Sequence, residues 1–299
     1  MALGGPVFKQ HYVEFIRGTG VKLDGVVDGT STNGPWTWVV PKDVSTIILT
    51  GVGAGGGGGG SAVAKGGGGA GSGLGVQDLR CAVTPGASLT ITVAAGGTGG
   101  AGTNGTSGGN TTIESVVISP YDFTTTINLA GGAYGRGAGG ATGNAGSAAY
   151  NMVADFDAPA TATTAANGNS GGVLWYQGTE NTRFVGAAGS AAGGLSSVGS
   201  NPGGNGGAYP SVAYMYSQMA YAAVGGIGDT TGTVSRSGGG AGAPSMLGYG
   251  GAGGDPTING GNATGYGAGG GGSGGVSTGS TTGGNGAPGY VGIFYWSAD

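Results

Sequence analysis

Six consecutive glycines, residues 55–60, follow directly on the strand-like run WTWVVPKDVSTIILTGVGA at residues 36–54. No feature constrains the fold more. Glycine loses more conformational freedom on folding than any other residue and weakens the interior of helix and strand alike. A run of six is therefore either disordered or held in an arrangement that only a residue without a side chain permits. The preceding residues read differently: Trp36, Trp38 and Val40 share one face of a period-two pattern, and Ile47, Ile48 and Leu49 form a short apolar run of strand length.

Spacing decides between order and disorder. Glycine recurs every third residue at 96, 99, 102, 105 and 108, at 137, 140, 143 and 146, at 248, 251 and 254, at 269, 272 and 275, and at 283, 286, 289 and 292. Three residues make one turn of a polyproline II helix, which has no internal hydrogen bonds, so every backbone N–H and C=O needs an outside partner. Packed side by side, glycine spirals can supply those partners to one another. Collagen shares the period but needs an unbroken register and abundant proline; here 11 prolines are scattered and the phase resets at each segment. The expectation is an all-β fold: a small sheet or sandwich combined with a stacked array of polyglycine II helices, with little or no α-helix.

Composition supports order. Glycine accounts for 81 of 299 residues, yet only 22 are charged, whereas disordered chains combine high net charge with few apolar residues. A net charge of −4 provides no basic stripe, so no nucleic-acid partner is expected. Cys81 is the single cysteine, which excludes an internal disulfide; beside Ala82 and Val83 it reads as a buried, inert thiol. The opening residues lack the apolar core of a signal peptide, and the longest uncharged apolar stretch, residues 211–228, is too polar for a membrane helix.

Along the chain three regions separate. Residues 1–35 carry six of the 22 charges and no long glycine run, which suggests a docking arm; the alternative is a first strand of the same domain, and residues 21–27 read as a strand ending at the Asp28-Gly29 turn. Residues 36–130 are a β-rich, glycine-rich domain with strands expected at 88–93, 111–119 and 124–129. Residues 131–299 are array material interrupted by aromatic segments and closed by a strand at 290–296, expected to pair back near Trp36 and Trp38. Within the interruptions, Tyr209, Tyr214, Tyr216 and Tyr221, then Trp175 and Tyr176, are the candidate contact residues, because such rings give large rigid contact area at low entropic cost. Their alternative role is to cap an array that has no side chains of its own.

The order of WTWVVPKDVSTIILTGVGAGGGGGG, TPGASLTITVAAGGTGG, GGNTTI, INLAGGAYG and the terminal GGNGAPGYVGIFYW resembles the glycine-rich domain of bacteriophage tail-fibre and receptor-binding proteins. The resemblance covers residues 36–299 in outline, most closely 36–140 and 268–296. It implies a virion-attached adhesin without enzyme activity, made in the host cytoplasm. In the T-even-like adhesins polyglycine II helices stack and the loops joining them touch the bacterial receptor. Implied partners are a cell-surface receptor, either outer-membrane protein or polysaccharide, and other tail or fibre proteins reached through an attachment arm at residues 1–35. Stoichiometry stays open between a homotrimer and a single copy on a trimeric tip. The leader and the WTWVVP block depart from those adhesins, so details of attachment do not transfer. Two other readings stand beside it: a structural fibre or decoration protein of the virion, and an ice-binding protein presenting flat rows of small side chains.

The sequence carries no constellation of catalytic or metal-ligating residues. His11, the only histidine, shows no partner in the sequence for nucleophilic catalysis. Matches to GxGxxG near Gly97 and Gly137 link no strand to a helix. No Cys/His cluster suggests zinc, and Asp155 and Asp157 lack the rest of a calcium loop, so neither metal nor cofactor is expected. The Asn-x-Thr triplets at Asn104, Asn110 and Asn262 matter as glycan acceptors only on a secretory route.

Overall fold

A computed structural model describes residues 8–27, 32–62, 64–118, 123–138, 173–177, 183–187, 225–227 and 236–298. The fold is all-β, with antiparallel sheets and no helix among the described residues. The described residues form fourteen strands: β1 Phe8–Ile16, β2 Gly20–Leu23, β3 Val26–Val27, β4 Trp36–Val39, β5 Thr46–Val52, β6 Gly75–Ala82, β7 Ser88–Thr92, β8 Thr111–Ile118, β9 Phe123–Leu129, β10 Val173–Gln177, β11 Arg183–Ala187, β12 Leu247–Tyr249, β13 Thr264–Tyr266 and β14 Tyr290–Ala298. Twelve form one sheet with the path β3-β2-β1-β14-β5-β6-β8-β7-β4, β9 adding to β8 and the β10–β11 hairpin to β6; β12 and β13 pair separately.

Alternation explains most of these strands. In β7 the even positions Leu89 and Ile91 are buried while their neighbours face outward. In β4 Trp36 is buried, Trp38 half-buried and Thr37 and Val39 exposed, as the period-two reading requires. Ile47, Leu49, Leu89, Ile91, Ile113, Val291 and Ile293 meet in one core together with Val13 and Phe15. The sheet therefore folds over itself, because residues far apart along its path share that core.

The closing strand pairs back into the sheet as expected: β14 lies between β1 and β5, with Tyr12 opposite Phe294 and Leu49 opposite Ile293. It meets Trp38 across the core, the Trp38 and Tyr295 ring centroids lying 5.6 Å apart. Residues 21–27 are not one strand, because Asp24 and Gly25 both take positive φ and turn the chain into the β2–β3 hairpin. Residues 8–27 thus share sheet and core with the rest of the described chain.

The glycine-rich segments lie beyond the strand ends, neither helix nor strand, and are joined by backbone hydrogen bonds that repeat every three residues. Segment 53–61, continuing from β5, is the clearest. The N–H groups of Gly53, Gly56 and Gly59 donate to the carbonyls of Leu74, Gly71 and Gly68. Those of Ala54, Gly57 and Gly60 donate to Gly109, Thr106 and Thr103, and those of Gly55, Gly58 and Ser61 to Ala287, Gly284 and Thr281. Its carbonyls are equally regular: Ala54, Gly57 and Gly60 accept from Gly132, Gly135 and Ala138, Gly55 and Gly58 from Gly97 and Gly100, and Gly56 and Gly59 from Gly270 and Ser273. One segment thus has six hydrogen-bonded neighbours. Antiparallel neighbours take its donors and parallel ones its acceptors, which meets the requirement that buried backbone polar groups be paired.

Segment 267–275 is a second hub. Gly269, Gly272 and Gly275 donate to Ala243, Gly240 and Ser237, while Gly271 and Gly274 donate to Gly261 and Ile258. Its carbonyls at Gly267, Gly270 and Ser273 accept from Gly73, Ala70 and Gly67. No side chain fits between these backbones: a Cβ on Gly58 would stand 2.1 Å from the Gly271 oxygen, and one on Gly272 2.0 Å from the Gly67 oxygen.

The glycine period at 96–108 is not one continuous segment. Gly102, at φ +64°, turns the chain back, so 94–100 and 103–109 run antiparallel, with Thr106 N–H donating to Thr98 O.

Candidate functional site

Each strand next to the array passes its chain into a glycine segment, so the array has a sheet end and a distal end. At the distal end the segments are joined by turns. Ser61 and Thr281 exchange backbone hydrogen bonds, Ser61 Oγ donates to Lys65 O at 2.6 Å, and the buried Thr281 hydroxyl donates to Gly274 O at 2.7 Å. Gly102, Thr257 and Gly279 turn the chain with positive φ. Thr257 is strained there, since its β-branched side chain is unfavourable in the left-handed region.

The chain leaves the array at this end and returns to it here. Ala138 N–H donates to Gly60 O, and Ser237 N–H donates to Ala64 O. Of the residues between, 139–235, the described ones are β10, β11 and 225–227. Gly226 returns to the array side, donating to Gly239 O, and the adjacent Ile227 N–H is held at 2.7 Å by the Asp255 carboxylate. Ile227 and Ile258 are 58% and 56% exposed, an apolar pair on an otherwise polar set of turns.

The candidate aromatics divide. Tyr209, Tyr214, Tyr216 and Tyr221 lie outside the described residues. Trp175 and Tyr176 sit in β10, opposite Val185 and Phe184 of β11, and β11 pairs through residues 183–185 with β6. These two are strand residues joined to the sheet, not distal-loop residues. No helical or alternating pattern singled out this hairpin, because its apolar run VLWY is continuous and only four residues long.

A second aromatic group lies at the sheet end. Tyr12 stacks on Phe294, His11 on Tyr295 and Tyr266 on Tyr290. The hydroxyls of Tyr12 and Tyr290 are hydrogen-bonded, and Tyr290 donates to Glu14 Oε1 at 2.9 Å. Burial, first of all, pushes both phenols above their ordinary range, as it does Tyr266. They stay protonated and act as fixed hydrogen-bonding groups where sheet and array meet.

His11 has a partner that sequence spacing did not reveal. Its Nδ1 lies 2.9 Å from Asp24 Oδ2, and Asp24 Oδ1 accepts the Tyr12 N–H at 2.8 Å. That backbone hydrogen bond, then the one to His11, holds the Asp24 carboxyl below its usual range. The pair clips the β2–β3 turn onto β1. Asp24 follows the β2 strand and is exposed, so no sequence signal linked it to His11.

Asparagine was the functional residue type the sequence reading passed over. Asn104 and Asn110 accept the N–H groups of Gly137 and Gly131 through their side-chain oxygens. Asn259, Asn262 and Asn285 do the same for Thr282, Asn285 and Gly99. Each stands on the rim of the array and replaces a neighbouring segment that is absent there. Their spacing of three between 259 and 262, and six between 104 and 110, was the available signal.

Cys81 is fully buried, and burial pushes its thiol up to about 12. Among the described residues no group of three His, Cys, Asp or Glu could hold a metal ion, and no helix is long and apolar enough to cross a membrane. Asp155 and Asp157 lie outside the described residues.

A folded-over antiparallel sheet feeding its strand ends into mutually bonded glycine segments defines an all-β, glycine-rich protein built largely on its main chain. Comparison with known families agrees: residues 30–296 match the glycine-rich domain, and the chain belongs to that family. No curated protein matches it.

Proposed function

We propose that the glycine-rich segments are polyglycine II spirals packed side by side, and that the protein is a non-enzymatic receptor-binding adhesin of a phage tail fibre. The observation that carries the first part is the period of three in the partners of segment 53–61. A polyglycine II spiral turns each successive peptide through about 120°, so residues three apart address the same neighbour. Six neighbours around 53–61 and six around 267–275 correspond to two fused hexagons. At about 3.1 Å per residue a nine-residue spiral is roughly 28 Å long.

Such a body is rigid without a large side-chain core and suits the display of a surface at one end. The chain departs from the array at Ala138 and rejoins it at Ser237, both bonded near the distal turns, and the sequence between carries Tyr209, Tyr214, Tyr216 and Tyr221. The proposed contact surface is these tyrosines with the distal turns, recognising a bacterial outer-membrane protein or polysaccharide without chemical change. Trp175 and Tyr176 contribute from the flank of the sheet. The resemblance of the strand pieces to tail-fibre proteins supports the phage assignment.

The test is binding of purified protein to a panel of bacterial cells, with a Tyr214→Ala, Tyr216→Ala double variant alongside. Saturable binding to some strains, weakened at least about tenfold in the variant, is expected for contact residues of this type. Unchanged binding by the variant removes the aromatic surface. Absence of cell binding, together with co-purification with virion proteins, replaces the adhesin by a structural fibre component.

A further inference from the structure

Three of the rim asparagines are followed by glycine, at Asn104-Gly105, Asn259-Gly260 and Asn285-Gly286. This pair is chemically fragile. The glycine nitrogen, after losing its proton to solvent base, attacks the asparagine side-chain carbonyl carbon; ammonia leaves, a succinimide ring forms, and water opens it to aspartate or isoaspartate. Glycine offers no side chain to hinder the attack, and the ring requires the peptide to rotate toward the side chain.

In the array both reacting groups are engaged. The attacking nitrogens of Gly105, Gly260 and Gly286 donate to Gly135 O at 3.1 Å, Thr282 O at 2.9 Å and Gly97 O at 2.8 Å. The side-chain oxygens of Asn104, Asn259 and Asn285 accept from Gly137 at 2.8 Å, Thr282 at 2.8 Å and Gly99 at 2.9 Å. At Asn259 the two bonds go to the same residue, so the amide and the next peptide are clamped together onto Thr282.

We propose that these three pairs are latent modification sites that are silent while the array is closed and convert once it opens, and that a chain converted to isoaspartate cannot close its array again. Ring formation demands that a pair surrender both hydrogen bonds, so conversion proceeds only from locally opened molecules. Isoaspartate routes the main chain through the side-chain carbon and adds one backbone atom. Beyond that point every N–H and C=O of the segment is displaced from the neighbour assigned by the period of three. Ordinary aspartate keeps both the backbone length and the acceptor oxygens. The rim is therefore a one-way latch recording that the array has been open. This inference uses only the described hydrogen bonds and does not depend on the adhesin reading.

The experiment incubates the full chain in mildly alkaline buffer, folded and in guanidinium chloride, and maps conversion at residues 104, 259 and 285 by peptide mass and an isoaspartate-specific assay. Folded protein is expected to convert roughly 30-fold more slowly at all three, the equilibrium effect of giving up two hydrogen bonds. After removal of denaturant, chains with isoaspartate are expected to stay out of the compact fraction on gel filtration, while Asn104→Asp and Asn285→Asp variants refold. Slowing of less than about tenfold, or recovery of isoaspartate chains in the compact fraction, overturns the proposal.

Discussion

Replacing Gly58 by alanine tests the close packing where the two hubs meet. Elsewhere a Gly→Ala change that the backbone tolerates stabilises a protein by about 0.4–1 kcal/mol, through the unfolded chain. Here the sign reverses. The new Cβ would stand 2.1 Å from Gly271 O and 2.5 Å from Gly271 C, with Gly270 O at 3.0 Å. An ordinary carbon–oxygen contact is about 3.3 Å, so segment 267–275 must retreat by more than about 1 Å. That retreat stretches the bonds Gly270 N–H to Gly56 O and Ser273 N–H to Gly59 O, which tie the two hubs together, and Gly284 N–H to Gly271 O. All the glycines involved, and Ser273, are buried, so water does not replace the lost partners. At about 1–3 kcal/mol for each of the three hydrogen bonds lost, the expected loss is about 3–9 kcal/mol. Gly18→Ala is the comparison: its Cβ would meet nothing within 4 Å, leaving only the cost of the left-handed backbone, about 1–2 kcal/mol. Denaturant unfolding followed by tryptophan fluorescence measures both. Gly58→Ala within about 1 kcal/mol of the parent would refute the packing described for the hubs.

Other outcomes follow from single contacts. Asn262→Ala removes the acceptor for the Asn285 N–H at a partly wet rim, so a loss of about 0.5–1.5 kcal/mol in denaturant unfolding is expected, with Asn262→Asp retaining most of it. Asp24 is depressed in the folded state, so its stabilising contribution is complete above the ordinary aspartate range near pH 4 and is lost as pH falls through the lower folded value. Asp24→Asn should therefore lower the thermal midpoint at neutral pH and flatten its fall in acid. The Cys81 thiol, buried and pushed up to about 12, should resist iodoacetamide at neutral pH until the protein is unfolded.

The strands legible in the sequence are those where one face is buried and the other wet. Residues 88–93 and 290–296 alternate or cluster strongly enough to be read directly, and they correspond to β7 and β14. β6 was not legible: GVQDLRCA carries Gln77, Asp78 and Arg80 on its outer face, and Asp78 takes positive φ beside a register shift opposite Leu49 and Gly51. Pairing partners were beyond reach as well. Which strand lies beside β14 depends on the path of the whole sheet, which local pattern does not encode.

For the glycine segments the period of three was visible but its meaning differed by position. On segment 94–100 two residues in three, Gly96, Gly97, Gly99 and Gly100, face a neighbour too closely for a side chain while Ala95 and Thr98 are exposed; in 53–61 all three directions are occupied, hence six glycines in succession. The asparagine caps were legible as a spacing, yet they gain meaning only once the rim is known. Of the candidate aromatics, Trp175 and Tyr176 belong to a strand whose run VLWY does not alternate apolar and polar residues as β7 does.

Amide hydrogen exchange at residues 55–60 is the most direct measurement of the central claim, that main-chain bonds between glycine segments hold this molecule together. These residues belong to no helix or strand, and ordinary glycine connectors exchange almost at once. Protection matching that of core strand β5, lost only on global unfolding, is the expected result. Exchange at the rate of an open loop, with β5 still protected, would contradict the account.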